Sequence, residues 1–378
     1  MQKMYYLLSF LFLFLSCKEV QKSDPVVSET KTSIEITHAK GFKINTFDTY
    51  KTITLTNPWP GAEKEFTYAL ISENTKLPTS ETFDAVVQIP VKKIVVTSTT
   101  HIPSLEMLGT SEALVGFPNL NYISSEATRK RIDAGLVTEI GKNEDLNTET
   151  LIDLSPDLVV GFAIDGNNST FSTLQKTGIP VMYNGDWTET SPLGKAEWIK
   201  FFGVLFGKEK EADSIFNAIE TDYYKTKELA SQTQVKPTVL SGAMYKDVWY
   251  LPQGDSWAAQ FIADANGDYL WKDSEGTGSL SLNLESVLEK GQHAQYWIGT
   301  SQFTTKQQLE ETHSVYSKFD AFKNDKLYGS TNKKGATGGL IYYELAPNRP
   351  DLVLKDIVKI LHPELLPDDE LYFFTHLE

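Results

Sequence analysis

Cysteine is almost absent: the 378-residue chain has one, Cys17. A single thiol excludes an internal disulfide framework, a Cys-rich zinc site and a CxxC redox pair. Histidine is scarce too. The six (positions 38, 101, 293, 313, 362 and 376) form no HxH or HExxH cluster, so the three or four converging ligands of a bare zinc or manganese ion are not written in the pattern. Basic charge is outnumbered, 35 Lys+Arg against 50 Asp+Glu, for a net −15; a nucleic-acid binder would need a basic stripe. GxSxG, GxGxxG and Walker patterns are missing. The glycine pairs ahead of Lys142 and Lys208 enclose five and three residues where a phosphate loop needs four. With 40% hydrophobic residues the chain is not disordered, and its length suits roughly two or three domains.

Long apolar runs are likewise lacking, with one short exception. Tyr5 to Ser16 is apolar, too short for the roughly 20 residues that span a bilayer, but suited to a signal-peptide core behind Lys3. Leu13-Phe14-Leu15-Ser16-Cys17 resembles a bacterial lipobox. On this reading residues 1–16 are a lipoprotein signal peptide and Cys17 is the lipid attachment point. Residues 17–32 are then a polar tether reaching at most about 50 Å, and the protein sits in the cell envelope, periplasmic or on the cell surface. The alternative is an ordinary export signal with an incidental cysteine.

Residues 33–91 read as β-rich. Ser33–Thr37, Lys51–Thr56, Phe66–Ile71 and Ala85–Ile89 are predicted strands, and a small antiparallel sheet is expected. After Pro90 the texture changes. Short β-branched runs (Ile94–Thr97, Leu114–Phe117, Asp157–Gly161, Pro180–Tyr183) alternate with helical segments, including one over 195–207. Such alternation indicates α/β units with a parallel sheet. Residues 208–230 contain no glycine or proline and carry Ile215, Ile219 and Tyr223 at four-residue spacing. A helix of that length is about 35 Å long, either a spine between lobes or an ordinary surface helix. The α/β pattern restarts after Pro237 and ends in a helix over 350–361. The predicted fold class is α/β: two Rossmann-like lobes with parallel sheets (92–207 and 236–374), joined by one long linker helix (208–235), plus the β-rich extension.

The halves share a repeat. Leu146-Asn147-Thr148-Glu149-Thr150-Leu151-Ile152-Asp153 parallels Leu282-Asn283-Leu284-Glu285-Ser286-Val287-Leu288-Glu289, and each is followed by an apolar strand ending in Gly161 or Gly299. Asn147 and Asn283 are favourable helix N-caps. Glu149 and Glu285 then face the positive end of a helix dipole, worth about 0.3–1 kcal/mol. For one glutamate, capping would suffice as an explanation; the same acid on each of two lobes makes a pair of negative knobs.

Ligand-binding candidates are taken from the loops after the parallel strands. They are Thr99, Thr100, His101, Phe162, Asp165 and Trp187 in the first lobe. In the second they are Tyr245, Trp249, Trp257, Tyr342, Tyr343 and Arg349. Aromatic walls suit large planar ligands; for each ring core packing is the plainer explanation. His101 is either an iron ligand, a hydrogen-bonding group or a polar loop residue, and Arg349 either binds ligand or fixes its loop.

The signal with Cys17, the α/β lobes, the long helix and the paired Leu-Asn-x-Glu segments together resemble the class III substrate-binding proteins of ABC importers, which take iron-siderophores, haem or cobalamin. Gly178-Ile179-Pro180-Val181, Leu154–Val160 and the segments Asn348–Asp356 and His362–Leu365 carry the likeness, from about 92 to 370. Residues 33–91 are longer and more β-rich than the usual family start. The resemblance implies that Glu149 and Glu285 dock onto arginines of an ABC permease. It also implies a monomeric receptor without cofactor or catalysis, whose ligand is a ferric siderophore, another iron complex, haem or, as the alternative, cobalamin. A different class stays open: a surface adhesion or scavenging lipoprotein using residues 33–91.

Overall fold

A computed structural model of the chain describes residues 32–79, 81–143, 145–165 and 169–378. The signal peptide, Cys17 and nearly all of the tether lie outside the described residues. Among the described residues no helix is long and apolar enough to cross a membrane.

Residues 32–88 form a five-stranded sheet in chain order: Thr32–Ile34, Phe42–Thr46, Tyr50–Leu55, Phe66–Ile71 and Ala85–Gln88. The expectation of a wholly antiparallel sheet is corrected at its last pair, which is parallel. The connection 72–84 is long enough for the crossover that a parallel pair needs. The strand Phe42–Thr46 was not expected, although Phe42 and Ile44 alternate inward with Lys43 outward as a half-buried strand should.

The first lobe is a parallel sheet in the order Val181–Tyr183, Leu158–Gly161, Ile94–Val96, Leu114–Phe117, Thr138–Glu139. Ile94, Val95 and Val96 are all buried, as are Leu158 to Gly161, because helices cover both faces of such a sheet. The second lobe repeats the plan with Asp268–Tyr269, Thr238–Leu240, Tyr296–Ile298 and Leu327–Gly329 in parallel, closed by an antiparallel edge, Thr375–His376. Two further features were not expected: the helix Glu126–Asp133 and a small antiparallel sheet of Ala243–Tyr245, Val248–Pro252 and Ser279–Leu282. The single helix expected over 195–207 is two, Pro192–Ala196 and Ile199–Leu205.

The long helix runs Glu209–Ser231. Its Ala212, Phe216 and Ile219 enter the core of the first lobe, whereas Tyr223 and Ala230 enter that of the second. It is therefore a spine, with one end embedded in each lobe. Gly203 lets the helix Ile199–Leu205 close on it, since a Cβ there would lie 2.6 Å from the Ala212 Cβ.

The change of texture near residue 91 is not a packing boundary. Phe42, Ile53 and Tyr68 of the extension share one hydrophobic core with Val95, Val159 and Phe202. A buried carboxylate fastens the join. Glu197, fully buried, accepts the backbone N–H groups of Thr37 (2.9 Å), His38 (2.7 Å) and Ala39 (2.8 Å) and the Lys200 ammonium (2.9 Å). Burial pushes its pKa up, but the bonds from Ala39, Thr37, Lys200 and His38 outweigh that and hold it below the ordinary glutamate value. Glu197→Ala should lower stability by about 3–5 kcal/mol in urea unfolding, because three amides and an ammonium lose their partner. In the wild type this contribution should be in place above about pH 4.3, the unfolded value. It should be lost as pH falls through the depressed folded value.

Candidate functional site

The strands Thr238–Leu240, Tyr296–Ile298 and Leu327–Gly329 end together, and their C-terminal ends floor a cavity of about 460 Å³. Small residues follow each strand: Ser241 and Gly242, Gly299, then Ser330 and Thr331. The site needs them. Gly242 has φ +78°, and a Cβ on it would meet the Tyr250 carbonyl oxygen at 1.9 Å. Ser241 donates its hydroxyl to the Ile298 carbonyl at 2.7 Å, joining two floor strands. The walls are aromatic: Tyr250, Trp257, Tyr342, Tyr343 and Phe374. Trp257 and Tyr342 lie 30° from parallel with ring centroids 6.1 Å apart. No lining residue is charged, in a chain of net charge −15.

The first lobe brings a polar and aromatic loop to the junction. After the strand Val181–Tyr183, the chain forms the turn Asp186–Thr188. Thr100 donates its hydroxyl to Asp186 at 2.7 Å, and Phe162 meets Trp187 edge-on at 6.0 Å. Lys195 ties this loop to the cavity wall. Its ammonium donates to the carbonyls of Asp186 (3.2 Å) and Trp187 (3.1 Å) and lies 5.5 Å from the Trp257 ring. Burial lowers its pKa, while Asp186 and Glu189 raise it in part. Asn348 bridges the lobes directly. It accepts from the Ser104 hydroxyl (2.8 Å) and donates to the Thr100 carbonyl (2.8 Å).

The candidates taken from the sequence divide accordingly. Trp257, Tyr342 and Tyr343 line the cavity, and Thr100, Phe162 and Trp187 belong to the opposing loops. Asp165 is exposed beyond Phe162. Tyr245 is exposed on the antiparallel sheet and does not line the cavity. Besides Tyr245 and Arg349, which do not line the cavity, two assignments are corrected by burial. His101 is fully buried, 5.5 Å from the Phe202 ring, because it opens the helix His101–Met107 on its core-facing side. Burial lowers its pKa, with Asp186 and Asn184 opposing, so it is neutral and has no access to a ligand. Trp249 is also fully buried, packed against Trp297, Tyr316 and Phe319, with its indole N–H given to the Ser241 carbonyl at 3.0 Å. Arg349 makes a two-pronged pair with buried Asp351, at 2.9 and 2.7 Å. It fixes the start of the helix Pro350–Leu361 and does not line the cavity. Among the described residues no group of His, Cys, Asp and Glu is arranged to hold a metal ion.

The sequence reading missed Lys195, Asp186, Tyr250, Asn348 and Glu344. A signal existed for the first: Lys195, Glu197 and Lys200 are charges set in a nearly continuous apolar run, where a charge must be paired. The paired helix starts fall where expected. Asn147 caps Thr148–Leu154 by accepting from the Thr150 N–H (3.0 Å), and Asn283 caps Leu284–Gly291 through Ser286 (2.8 Å). Glu149 and Glu285 are exposed in the first turns. Each helix leads into a parallel strand, Leu158–Gly161 or Tyr296–Ile298, so the two glutamates occupy equivalent places at the start of equivalent helices of the two lobes.

A family model described as "Periplasmic binding protein" matches residues 94–333. An uncharacterized lipoprotein of Methanocaldococcus jannaschii is 26% identical over 298 residues, covering 76% of this chain and 69% of its own. Among solved structures, a periplasmic binding protein from Veillonella parvula superposes with a TM-score of 0.59 at 16% identity, covering 85% of this chain and 95% of that one. A periplasmic heme-binding protein from Roseiflexus sp. gives 0.52 at 18%, covering 71% and 99%. A siderophore-binding protein from Vibrio cholerae, solved with Fe3+-Desferal, gives 0.52 at 16%, covering 71% and 99%.

A second inter-lobe contact is proton-sensitive. Glu344, on the second-lobe helix Ile341–Leu345, accepts the N–H groups of Ser124 (2.6 Å) and Ser125 (2.9 Å) at the start of the first-lobe helix Glu126–Asp133. Burial pushes its pKa up to about 7; the bonds from Ser124 and Ser125 pull it down, and Glu106 pushes it up again. The unfolded or separated carboxyl titrates near 4.3. The contact is therefore fully stable below that value and weakens as pH rises through about 7. Melting temperatures at pH 5.5 and pH 8 should differ more in the wild type than in Glu344→Gln, which carries no titrating proton.

Proposed function

Because this chain belongs to the periplasmic binding protein family, we propose that it is an extracytoplasmic solute receptor, anchored by lipid on Cys17, that delivers an iron complex to an ABC importer. The observation that carries this reading is the uncharged aromatic cavity at the strand ends of one lobe, faced by the Phe162–Trp187 loops of the other. A pocket without charge takes up a ligand whose buried surface is neutral, since burying an unpaired charge is costly. Ferric iron with three hydroxamates is neutral, whereas its complex with three catecholates carries a large negative charge. The lining therefore favours a neutral ferric hydroxamate, with haem and cobalamin as the other planar or ring-rich occupants of this kind of site. Lys195 is charged but does not line the cavity; its ammonium is turned to the Asp186 and Trp187 carbonyls, with Asp186 and Glu189 as the opposing charges.

Titration of the tryptophan fluorescence should show saturable one-to-one quenching by a neutral ferric hydroxamate and little response to a ferric tricatecholate. Silence with the hydroxamate, haem and cobalamin alike would overturn the receptor reading and favour an adhesin. Trp257→Ala should weaken binding about 2–13-fold, the effect of about 0.5–1.5 kcal/mol from one aromatic contact.

Glu149 and Glu285 are the proposed docking points for the permease, one exposed acid in the first turn of the equivalent helix of each lobe. Electrostatic complementarity of this kind governs encounter and register more than solute affinity. Reversing both charges (Glu149→Lys with Glu285→Lys) should stop uptake in cells and leave the affinity for the solute unchanged. Wild-type uptake by the double variant would remove the assignment.

A further inference from the structure

The family match begins at residue 94, which leaves the five-stranded sheet 32–88 without an assigned role. We infer that this sheet is a positioning device for the cleft loop 184–189, holding it from behind so that Trp187 faces the ligand. The inference rests on the receptor reading above.

Beyond the shared core, the extension meets that loop at both of its ends. At its start, Gly185 sits against the extension so closely that a Cβ would lie 2.8 Å from the Asn57 carbonyl oxygen and 3.1 Å from the Pro58 Cα. The Thr188 hydroxyl shares its proton between the Gly185 carbonyl (2.8 Å) and the same Asn57 carbonyl (3.1 Å). Just before the loop, Tyr183 donates its N–H to the Tyr68 hydroxyl (3.1 Å) and meets the Trp59 ring edge-on at 5.2 Å. At the loop's end, one oxygen of buried Glu189 accepts the N–H groups of Lys40 (2.9 Å) and Gly41 (2.8 Å) and the Trp198 indole N–H (3.1 Å). Within the first lobe, Lys195, Thr100 and the Gly161 carbonyl also bond to the loop.

A loop carrying a binding residue is ordinarily among the less stable parts of a fold. Here the Gly185 backbone, the Thr188 hydroxyl and the Glu189 carboxylate are held by connections of a sheet with its own buried strands. Side chains that meet ligand need such support to keep their geometry. Asn57, Trp59 and Glu189 act through Trp187 and are positioning residues; they make no contact with the cavity.

The test uses the full chain, with Trp59→Ala to remove the buttress and Gly185→Ala to push loop and sheet apart. Ile44→Val, in the extension core but away from the loop, is the control for general loss of stability. Hydrogen–deuterium exchange of amides 184–189 is read first, without ligand. Both variants should raise it at least about tenfold, and the control should not. Affinity for a neutral ferric hydroxamate should then fall about tenfold in both variants and hold in the control. Unchanged exchange in both variants would overturn the inference. Faster exchange with unchanged affinity would overturn the role in binding. Faster exchange in a protein whose wild type binds neither the hydroxamate, haem nor cobalamin would uphold the clamp and sink the receptor reading.

Discussion

Two buried carboxylates, Glu189 and Glu197, gather five consecutive backbone amides, Thr37 to Gly41. Taking a carboxylate out of water is expensive, and the cost is met only when its lone pairs are filled. Here they are filled by amides that would otherwise need partners of their own. The arrangement constrains much else. It fixes the extension on the first lobe and holds the ends of the paired helices Pro192–Ala196 and Ile199–Leu205. Through Gly203 and Ala212 those helices set the spine, and through Glu189 the same contact reaches the loop that bears Trp187.

The spine then decides how the lobes relate. A helix embedded at one end in each core resists bending more than a pair of extended strands would, because every turn carries its own hydrogen bonds. Direct bonds add to it. Asn348 uses both ends of its amide on the first lobe, and Glu344 uses both oxygens. The lobes are thus linked by one continuous element and by groups that can exchange their partners for water.

Much of the architecture was legible. Thr148–Leu154 and Pro350–Leu361 begin and end where their caps and prolines put them, and β-branched runs such as Ile94–Val96 announce strands buried on both faces. The repeat around Glu149 and Glu285 survives into the structure because helix starts are local events. What failed was long-range. Nothing near residue 101 says that the His101 side chain turns toward Phe202 rather than the cleft, since that depends on a helix a hundred residues on. Trp249 reads as a binding aromatic until Trp297 and Tyr316 are seen to enclose it. The parallel pairing of Ala85–Gln88 and the fusion of the extension with the first lobe are likewise settled by tertiary packing. Tyr250 was missed because a strand of an antiparallel sheet, rather than a loop after a parallel strand, supplies that wall.

The floor of the cavity is made of backbone. At Gly242 the left-handed φ and the Tyr250 carbonyl 1.9 Å from any Cβ leave room for no other residue, and the strand ends beside it are fixed by the sheet. The walls face no such restriction: Tyr343 is largely exposed and Trp257 half-buried. Substitution is therefore constrained unevenly: a side chain at Gly242 would break the floor, whereas exchanges at Tyr343 or Trp257 would change the width and chemistry of the mouth and leave the sheet beneath intact.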